Sequence, residues 1–269
     1  MAGPTLDATR YRELVERTGL SATHQRCIDW VPRGSRVLEL GCSSGFVGAR
    51  LVVEKQCTVV GAEIDPKAAE EARAVGLEEH VGSLEDPAFL AKIDSLGPFD
   101  VVIAADVLEH LADPPPVLER LKRWIAKGGY AIVAVPNVAS WNIRKQLFFR
   151  GDFEYQDTGT LDRTHLHHFT WITLHKLVQR QGWNVLETMV DNYELPVGSL
   201  VLKDFPNLVL HKWDRLAWTK PVPRFVHRFL AARTASIVEL RGRVEQALMQ
   251  HAPNLVANHV ALLLTPPAP

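Results

Sequence analysis

VLELGCSSGFVG, residues 37–48, is the stretch that decides the fold of this chain. Its apolar half predicts a buried β-strand, and the residues after it predict a tight turn that leads into a helix. Gly41 and Gly45 stand where a Cβ atom would obstruct the turn or the close approach of a ligand. A strand, a glycine-rich turn and a helix in this order predict one wall of a nucleotide pocket.

The turn lacks the features of two common phosphate-binding loops. The dinucleotide fingerprint G-x-G-x-x-G needs its second glycine where this chain has Ser43. A P-loop needs Gly-Lys-Ser/Thr, and that sequence does not follow the turn either. The pattern therefore predicts a pocket for adenosine without a pyrophosphate, and it disfavours a nicotinamide-dependent oxidoreductase.

A second apolar run, TVVGAEI at 58–64, predicts a strand that ends in a carboxylate. Glu63 stands where a ribose-binding acid belongs, because an ionised carboxylate can accept hydrogen bonds from both ribose hydroxyls. Asp65 and Pro66 then predict the N-cap and the first turn of the next helix.

A third run, FDVVIAADVLEH at 99–110, predicts another buried strand. It opens at its carboxyl end into Asp106, Glu109 and His110, and ligands of open α/β sheets bind at such ends. Strand and helix patterns continue to alternate after it, which predicts a parallel sheet.

These motifs together resemble those of a known family. VLELGCSSG, VVGAEIDP and FDVVIAADVLEHLADP are similar, in order and spacing, to the cofactor motifs of class I S-adenosylmethionine-dependent methyltransferases, and GGYAIVAVPN resembles their fifth strand. The resemblance covers about residues 20–193. It implies an α/β fold, namely a Rossmann-like methyltransferase sandwich with a mainly parallel seven-stranded sheet.

The resemblance also implies the cofactor, S-adenosyl-L-methionine, and the positions that bind it. These positions are Glu39, Gly41, Cys42, Gly45, Glu63, Ile64, Ser83, Leu84 and Asp106. Cys42 receives no chemical role, because an isolated cysteine beside a turn is more often a small buried residue than a nucleophile. Ser83 occupies a place where relatives often carry an adenine-binding aspartate.

Residues 151–170 resemble one branch of these methyltransferases, which is common in polysaccharide, glycoside and natural-product pathways. That branch shows an L-D-R-T-H-L-R-F-F-T run where this chain has LDRTHLHHFT at 161–170. His167 and His168 thus replace an arginine and an aromatic residue. The resemblance implies a small-molecule acceptor, either a sugar, a glycoside or a biosynthetic intermediate.

Three side chains are candidates for acting on the acceptor. A hydroxyl acceptor must lose its proton, and a histidine suits this task near neutral pH, so His165 is the first candidate for the general base. Asp162 is expected either to orient that imidazole, to bind an acceptor hydroxyl, or to cap a helix. Arg163 is a candidate partner for an acidic group of the substrate. His110 is either a pocket residue or a histidine with a structural partner.

No metal site is predicted from the sequence. His165, His167 and His168 are close in the chain, but close spacing does not make their nitrogens converge, and no carboxylate-rich set completes a shell around them. The three cysteines are too few and too irregular for a zinc motif or a disulfide framework.

Composition predicts a globular cytoplasmic protein. A chain with 46% hydrophobic and 23% charged residues can bury a large core, and a formal net charge of −1 gives no global signal for nucleic acid. Few cysteines fit a reducing compartment, and neither a signal peptide nor a transmembrane segment is predicted.

Residues 195–254 are expected to form a helical insertion before the last, antiparallel strand. They hold nine lysines and arginines against four acidic residues, which indicates a solvated helical face, an oligomer contact, or a site for an anionic or carrier-linked acceptor. The predicted methyltransferase domain comprises residues 1–194 and 255–269, with an N-terminal helical cover over the cofactor pocket. A homo-oligomer is compatible with this organisation.

The residues and the resemblance together predict an S-adenosylmethionine-dependent O-methyltransferase acting on a small molecule. The closest alternative is a small-molecule N-methyltransferase, which could use a neutral amine without the same need for a base. Another alternative is a non-catalytic, cofactor-sensing partner protein, because a fold alone does not establish turnover.

Overall fold

The computed structural model describes Val15, residues 17–191 and residues 257–267. The strands of this part are β1 Arg36–Leu40, β2 Thr58–Glu63, β3 Glu78–Val81, β4 Phe99–Ala105, β5 Ile125–Pro136, β6 Asn184–Asp191 and β7 His259–Thr265. The α-helices are α1 Ala22–Trp30, α2 Phe46–Lys55, α3 Pro66–Ala74, α4 Pro87–Leu96, α5 Pro114–Trp124, α6 Trp141–Arg150 and α7 Trp171–Arg180.

The strands form one seven-stranded sheet in the order β3-β2-β1-β4-β5-β7-β6. β1 pairs in parallel with β2 and β4, and β7 lies antiparallel between β5 and β6. This sheet confirms the predicted α/β class and its mainly parallel arrangement. The predicted helical insertion at 195–254 lies outside the described residues, so it stays a prediction.

β1 is buried on both faces of the sheet, which explains its nearly continuous apolar sequence. Successive side chains of a strand point to opposite faces, so Leu38 and Leu40 enter one half of the core while Val37 enters the other. Each half of the core is completed by helices that pack on that face of the sheet. None of the described helices is long and apolar enough to span a membrane. The glycine-rich turn therefore starts from a rigid, central strand.

The order of the strands brings three turns to one edge. The chain leaves β1 for β2 on one side and returns later to β4 on the other, so a crevice forms between the two crossovers. Leu40 is in register with both Ala62 and Ala104. The residues that follow these strands, among them Gly41 and Asp106, therefore converge at the carboxyl edge of the sheet.

Gly61 in β2 makes room for a buried carboxylate on the neighbouring strand. Gly61 is in register with Glu79 of β3, and a Cβ atom added at Gly61 would lie 1.7 Å from Glu79 Oε1. The thiol of Cys42 donates a hydrogen bond to the same oxygen at 3.1 Å. The missing side chain of Gly61 thus permits Glu79 to reach beneath the turn that follows β1.

We expect Gly61→Ala to lower the free energy of unfolding by about 1–3 kcal/mol, because the added methyl group overpacks this contact. In a Glu79→Ala background, the same substitution should cost much less, since the colliding carboxylate is gone. Urea unfolding of the four proteins in this double-mutant cycle measures the coupling. Equal costs of Gly61→Ala in both backgrounds would contradict the steric explanation.

Candidate active site

A cavity opens at the carboxyl edge of β1, β2 and β4. It encloses about 970 Å³, including its open mouth. Of the residues predicted from sequence, seven line it: Gly41, Glu63, Ile64, Ser83, Leu84, Asp106 and His110. Site residues that the sequence places at the ends of four separate strands therefore line one cavity.

The Glu63 carboxylate is held in place by backbone amides. Its Oε1 accepts hydrogen bonds from the N–H groups of Ile64 and Asp65, each at 2.9 Å, and its Oε2 accepts from Ser43 N–H at 2.8 Å. A carboxylate has about four lone-pair sites, so about one remains free to accept from a ligand. Glu63 thus ties the glycine-rich turn to the end of β2 and faces the cavity with its remaining capacity.

The turn after β1 needs glycine at its first position. Gly41 has φ +62°, and a Cβ atom there would lie 2.7 Å from Val107 Cγ2. Ser43 also adopts a positive φ, which directs its N–H toward Glu63. Gly41 and Val107, which pack closely against each other, both line the cavity.

Another part of the cavity lining combines two apolar side chains with a hydroxyl group. Ile64 and Leu84 line it, together with Ser83. The hydroxyl oxygen of Ser83 accepts a hydrogen bond from Glu85 N–H at 3.1 Å, so its own proton is directed away from that bond. Ser83 can therefore still donate to a ring nitrogen of a bound adenine.

Three of the predicted cofactor-binding residues lie behind the wall of the cavity. Glu39 is buried under α2 and accepts a hydrogen bond from the backbone of Gly48. Cys42 is buried and donates to Glu79. Gly45 packs against α3, where an added Cβ atom would lie 3.1 Å from Ala72. In this structure these residues shape the turn, and they do not line the cavity.

The carboxylates behind the wall are in an environment that disfavours their charge. Burial raises the pKa of Glu39 to about 8, and the nearby charges of Glu79 and Glu63 raise it further in the same direction. Burial likewise raises the pKa of Glu79 to about 7, against the lowering effect of its hydrogen bond with Cys42. Burial and these two acids also raise the pKa of the Cys42 thiol, so the thiol stays protonated.

Asp106 is the acidic group at the centre of the site, and two histidines face it. Its Oδ2 lies 3.4 Å from His24 Nε2 on α1, and its Oδ1 lies 3.8 Å from His259 Nε2 at the start of β7. Burial acts to raise the pKa of Asp106, but the hydrogen bond from His24 and the charges of His259 and His24 lower it to about 2. Asp106 is therefore an anion at neutral pH.

His24 and His259 were not predicted as site residues. An N-terminal helical cover over the pocket was expected, but no residue of it, His24 included, was assigned to the site. His259 begins a strand that is far from Asp106 in the chain, and no local motif marks it. Phe46, at the start of α2, also lines the cavity and makes an edge-on contact with the His24 ring.

The LDRTHL segment docks on the turn that follows β4. The N–H groups of Leu166 and His167 both donate to the backbone carbonyl of Glu109, at 2.8 and 3.0 Å. This contact buries His165 and brings its ring edge-on to the ring of His110, with 4.8 Å between the centroids. The structure thus joins two predicted histidines that lie 55 positions apart in the chain.

Asp162 supports this arrangement through Thr164. The buried Asp162 carboxylate accepts hydrogen bonds from the backbone N–H and the hydroxyl of Thr164. The carbonyl of Thr164 lies 3.2 Å from Nδ1 of His110. These bonds connect Asp162 to His110, and orienting His165 stays one of the three roles expected for Asp162 from the sequence. Arg163 points outward and forms an ion pair with Asp157 at 2.5 Å.

The hydrogen bonds of the two rings determine which nitrogens are free. Nδ1 of His165 lies 3.2 Å from the carbonyl of Thr160, and Nδ1 of His110 faces the carbonyl of Thr164. A carbonyl only accepts, so each Nδ1 carries the proton and each Nε2 keeps a lone pair. Burial lowers the pKa of both rings, and that of His165 falls to about 4 with a further contribution from His110.

The other two histidines of the segment have different partners. His167 Nε2 lies 3.0 Å from the carbonyl of Ala112. The His168 ring stacks on Tyr155 at 5.9 Å between centroids. The His168 ring also lies edge-on to His165, at 6.3 Å between centroids, which is farther than the 4.8 Å between His165 and His110.

Residues 9–188 match the family described as "Methyltransferase domain". The chain belongs to this methyltransferase family. The membership confirms the class I S-adenosylmethionine-dependent resemblance, and with it S-adenosyl-L-methionine as the cofactor of the domain. The site fits this cofactor, since Glu63 retains an acceptor site and an anionic Asp106 faces the same cavity as the apolar Ile64 and Leu84.

Curated relatives of the domain include two bacterial proteins. The chain is 27% identical to a ubiquinone biosynthesis O-methyltransferase of Psychrobacter arcticus over 53% of this chain and 57% of that protein. It is 34% identical to a protein of the same name from Caulobacter sp. over 39% of this chain and 42% of that protein. The chain thus spans about half the length of these curated relatives.

Solved structures show the same fold. A methyltransferase from Archaeoglobus fulgidus, named as dependent on S-adenosylmethionine, aligns with a TM-score of 0.56 and 15% identity over 94% of this chain and 98% of that chain. One from Thermotoga maritima aligns with a TM-score of 0.52 and 20% identity over 72% and 85% of the two chains.

We expect Glu63→Ala to weaken binding of S-adenosylmethionine to the domain by about 1.5–3 kcal/mol, because a charged hydrogen-bond acceptor is deleted. Calorimetric titration of the folded variant measures this loss. Glu54→Ala, which removes an exposed carboxylate on α2, is the matched control and should bind as the unchanged protein does. Unchanged affinity in Glu63→Ala would exclude Glu63 from the cofactor site.

The raised pKa of Glu39 predicts a pH dependence of the stability of the methyltransferase domain. Between about 4.5 and about 8 the unfolded chain has lost the Glu39 proton while the folded chain retains it, so stability falls as the pH rises through this window. Glu39→Gln should flatten this fall. The stability of the variant relative to the unchanged protein should therefore be higher at pH 8 than at pH 5.

Urea unfolding at several pH values between 4.5 and 8.5, without cofactor, checks this expectation. Glu54→Gln serves as a control that changes an exposed carboxylate. If Glu39→Gln and the unchanged protein show parallel curves, Glu39 is not a source of the pH dependence.

Proposed function

We propose that this protein transfers the methyl group of S-adenosylmethionine to a hydroxyl oxygen of a small molecule. The observation that carries the proposal is the group formed by Asp106 and His110, which line the cavity, and His165, whose ring contacts the His110 ring. An O-acceptor needs groups that hold it and help remove its proton, and two neutral imidazoles with free Nε2 atoms provide such groups. The names of the curated relatives, which are O-methyltransferases, support an oxygen acceptor.

The protein mainly has to position the acceptor. When bound, S-adenosylmethionine supplies a methyl group that its sulfonium already activates. Glu63 and Ser83 hold the ribose and adenine ends, and α1 covers the cavity from above with His24. Well-oriented intramolecular reactions reach effective molarities of about 10⁵–10⁸ M, so alignment and exclusion of water supply much of the rate.

The proposed acceptor is a sugar, a glycoside or an intermediate of natural-product biosynthesis, as the LDRTHLHHFT segment suggests. The ubiquinone biosynthesis named for the relatives supports the last of these classes. An anionic or carrier-linked acceptor, a homo-oligomer and the domain boundary at residues 194 and 195 stay predictions, because they depend on residues outside those described. Cytoplasmic localisation stays a prediction too, supported by three free, buried cysteines.

Incubation of the protein with labelled S-adenosylmethionine and a panel of hydroxyl and amine acceptors tests the proposal. We expect a labelled O-methyl product, identified by mass spectrometry and by the chemical shift of the new methyl group. An N-methylated product would overturn the oxygen assignment. Cofactor binding without product over a broad panel, together with recovery of a stable partner protein, would favour a cofactor-sensing role instead.

We expect His165→Ala to reduce turnover by about 10²–10⁴-fold while cofactor affinity is retained, because the variant lacks the imidazole that assists removal of the acceptor's proton. His167→Ala changes a neighbouring histidine that faces Ala112, and it should keep most of the activity. Steady-state kinetics and calorimetry of both variants measure the two effects. Wild-type turnover in His165→Ala would remove this residue from the mechanism.

A further inference from the structure

Three side chains beside the cofactor cavity form a cluster that the proposed methyl transfer does not by itself explain. Glu109, His110 and His165 each direct one ligand atom into a common space, and these three atoms all lie within 4.8 Å of one another. Glu109 and His110 come from the turn after β4, and His165 comes from the docked LDRTHL segment. The cluster therefore exists only when these two parts of the chain are packed together.

Glu109 is the unusual member of the cluster. Glu109 is only 1% exposed. Among the described residues, neither of its carboxylate oxygens accepts a hydrogen bond, apart from a weak contact with the amide of Glu109 itself. Burial raises the pKa of Glu109 well above its usual range, and the charges of Asp106 and Asp162 raise it further. A buried carboxylate without a partner is costly, and a bound cation would remove that cost.

The two histidines already have the hydrogen bonds that metal-binding histidines typically make. Each donates its Nδ1 proton to a backbone carbonyl, His110 to Thr164 and His165 to Thr160. Such a bond fixes the ring and leaves Nε2 as the ligand atom. Asp162 reinforces the His110 side by accepting from the Thr164 hydroxyl at 2.7 Å.

We propose that Glu109, His110 and His165 bind a divalent transition-metal ion at the acceptor end of the cofactor cavity. Two imidazole nitrogens and one carboxylate oxygen suit Zn²⁺, Fe²⁺ or Mn²⁺ better than Mg²⁺, which prefers oxygen ligands and water. Ligand atoms around a tetrahedral zinc ion lie roughly 3.4 Å apart at bond lengths of about 2.1 Å, so modest side-chain rotations close the cluster. Three protein ligands leave at least one position open.

His110 lines the cavity together with Asp106, so the open position is to be reached by an acceptor from this side. If the proposed function holds, an acceptor hydroxyl binds there as a metal ligand and releases its proton to solvent, since a bound cation lowers the pKa of coordinated oxygen. The oxygen lone pair then forms the new bond to the methyl carbon, the carbon–sulfur bond breaks, and its electron pair stays on sulfur. With the ion bound, His110 and His165 act as its ligands, and the ion replaces the direct proton removal that the proposed function assigns to their imidazoles.

Metal binding can be measured without an acceptor. The full-length protein, stripped with a chelator and dialysed, should bind one Zn²⁺ or Co²⁺ ion per chain by calorimetry. Co²⁺ should also give the visible absorption of a site with nitrogen and oxygen ligands. Glu109→Gln, His110→Ala and His165→Ala should each lower the affinity by about 100-fold or more, because second-shell changes alone typically cost 10–100-fold.

Two variants serve as matched controls. Glu79→Gln changes another buried carboxylate, and His167→Ala changes a histidine of the same segment that faces Ala112. Both should bind the ion as the unchanged protein does, and S-adenosylmethionine affinity should survive in all variants as a check of folding.

Absence of binding up to submillimolar Zn²⁺, Co²⁺ and Mn²⁺ would overturn the proposal and favour a protonated Glu109 in the cluster. Binding that the three substitutions leave unchanged would overturn it too, because the ion would then lie elsewhere. If the ion binds at these residues while no acceptor is methylated, the metal site stands and the proposed function fails. The two proposals are therefore tested separately.

Discussion

The parallel pairing of β1 with β2 on one side and with β4 on the other is the constraint on which the rest of the structure depends. Strands in register end at the same edge of a sheet, so the residues that follow them must meet there. This pairing places Gly41 and Asp106 around one cavity, although they are 65 positions apart in the chain. The helices then cover the two apolar faces, and the edge remains open for a ligand.

This arrangement places several buried carboxylates close to one another. Glu39 and Glu79 lie behind the glycine-rich turn, in surroundings that raise their pKa values, while Glu63 is held by three backbone N–H groups. Asp106 differs because two histidines face it and keep it ionised. Similar side chains at one edge therefore have different surroundings: Asp106 faces the cavity as an anion, whereas Glu39 and Glu79 lie behind the cavity wall.

The acceptor side of the site depends on a second contact, the docking of the LDRTHL segment on the backbone carbonyl of Glu109. This contact brings His165 against His110 and encloses the Glu109 side chain. The cluster is thus made by packing, and its members come from two motifs that the chain carries separately. The same contact explains why Asp162 supports His110 through Thr164.

The amino-acid sequence by itself determined the strand-turn-helix around Gly41, the acidic end of β2 at Glu63 and the mainly parallel sheet. These features depend on local physics, because hydrophobic periodicity and turn chemistry are properties of neighbouring residues. The sequence also indicated His165 and Asp106 as site residues, since both stand in motifs with recognisable spacing.

Only the tertiary structure decided which of these residues face the cavity and which lie behind it. Cys42 and Gly45 are in the same motif as Gly41, yet they pack against Glu79 and α3, because the direction of a side chain depends on what surrounds it. The contact of His259 with Asp106 and the convergence of Glu109 with His165 could not be predicted for a related reason. They join residues far apart in the chain, and periodicity carries no information about which distant segments pack together.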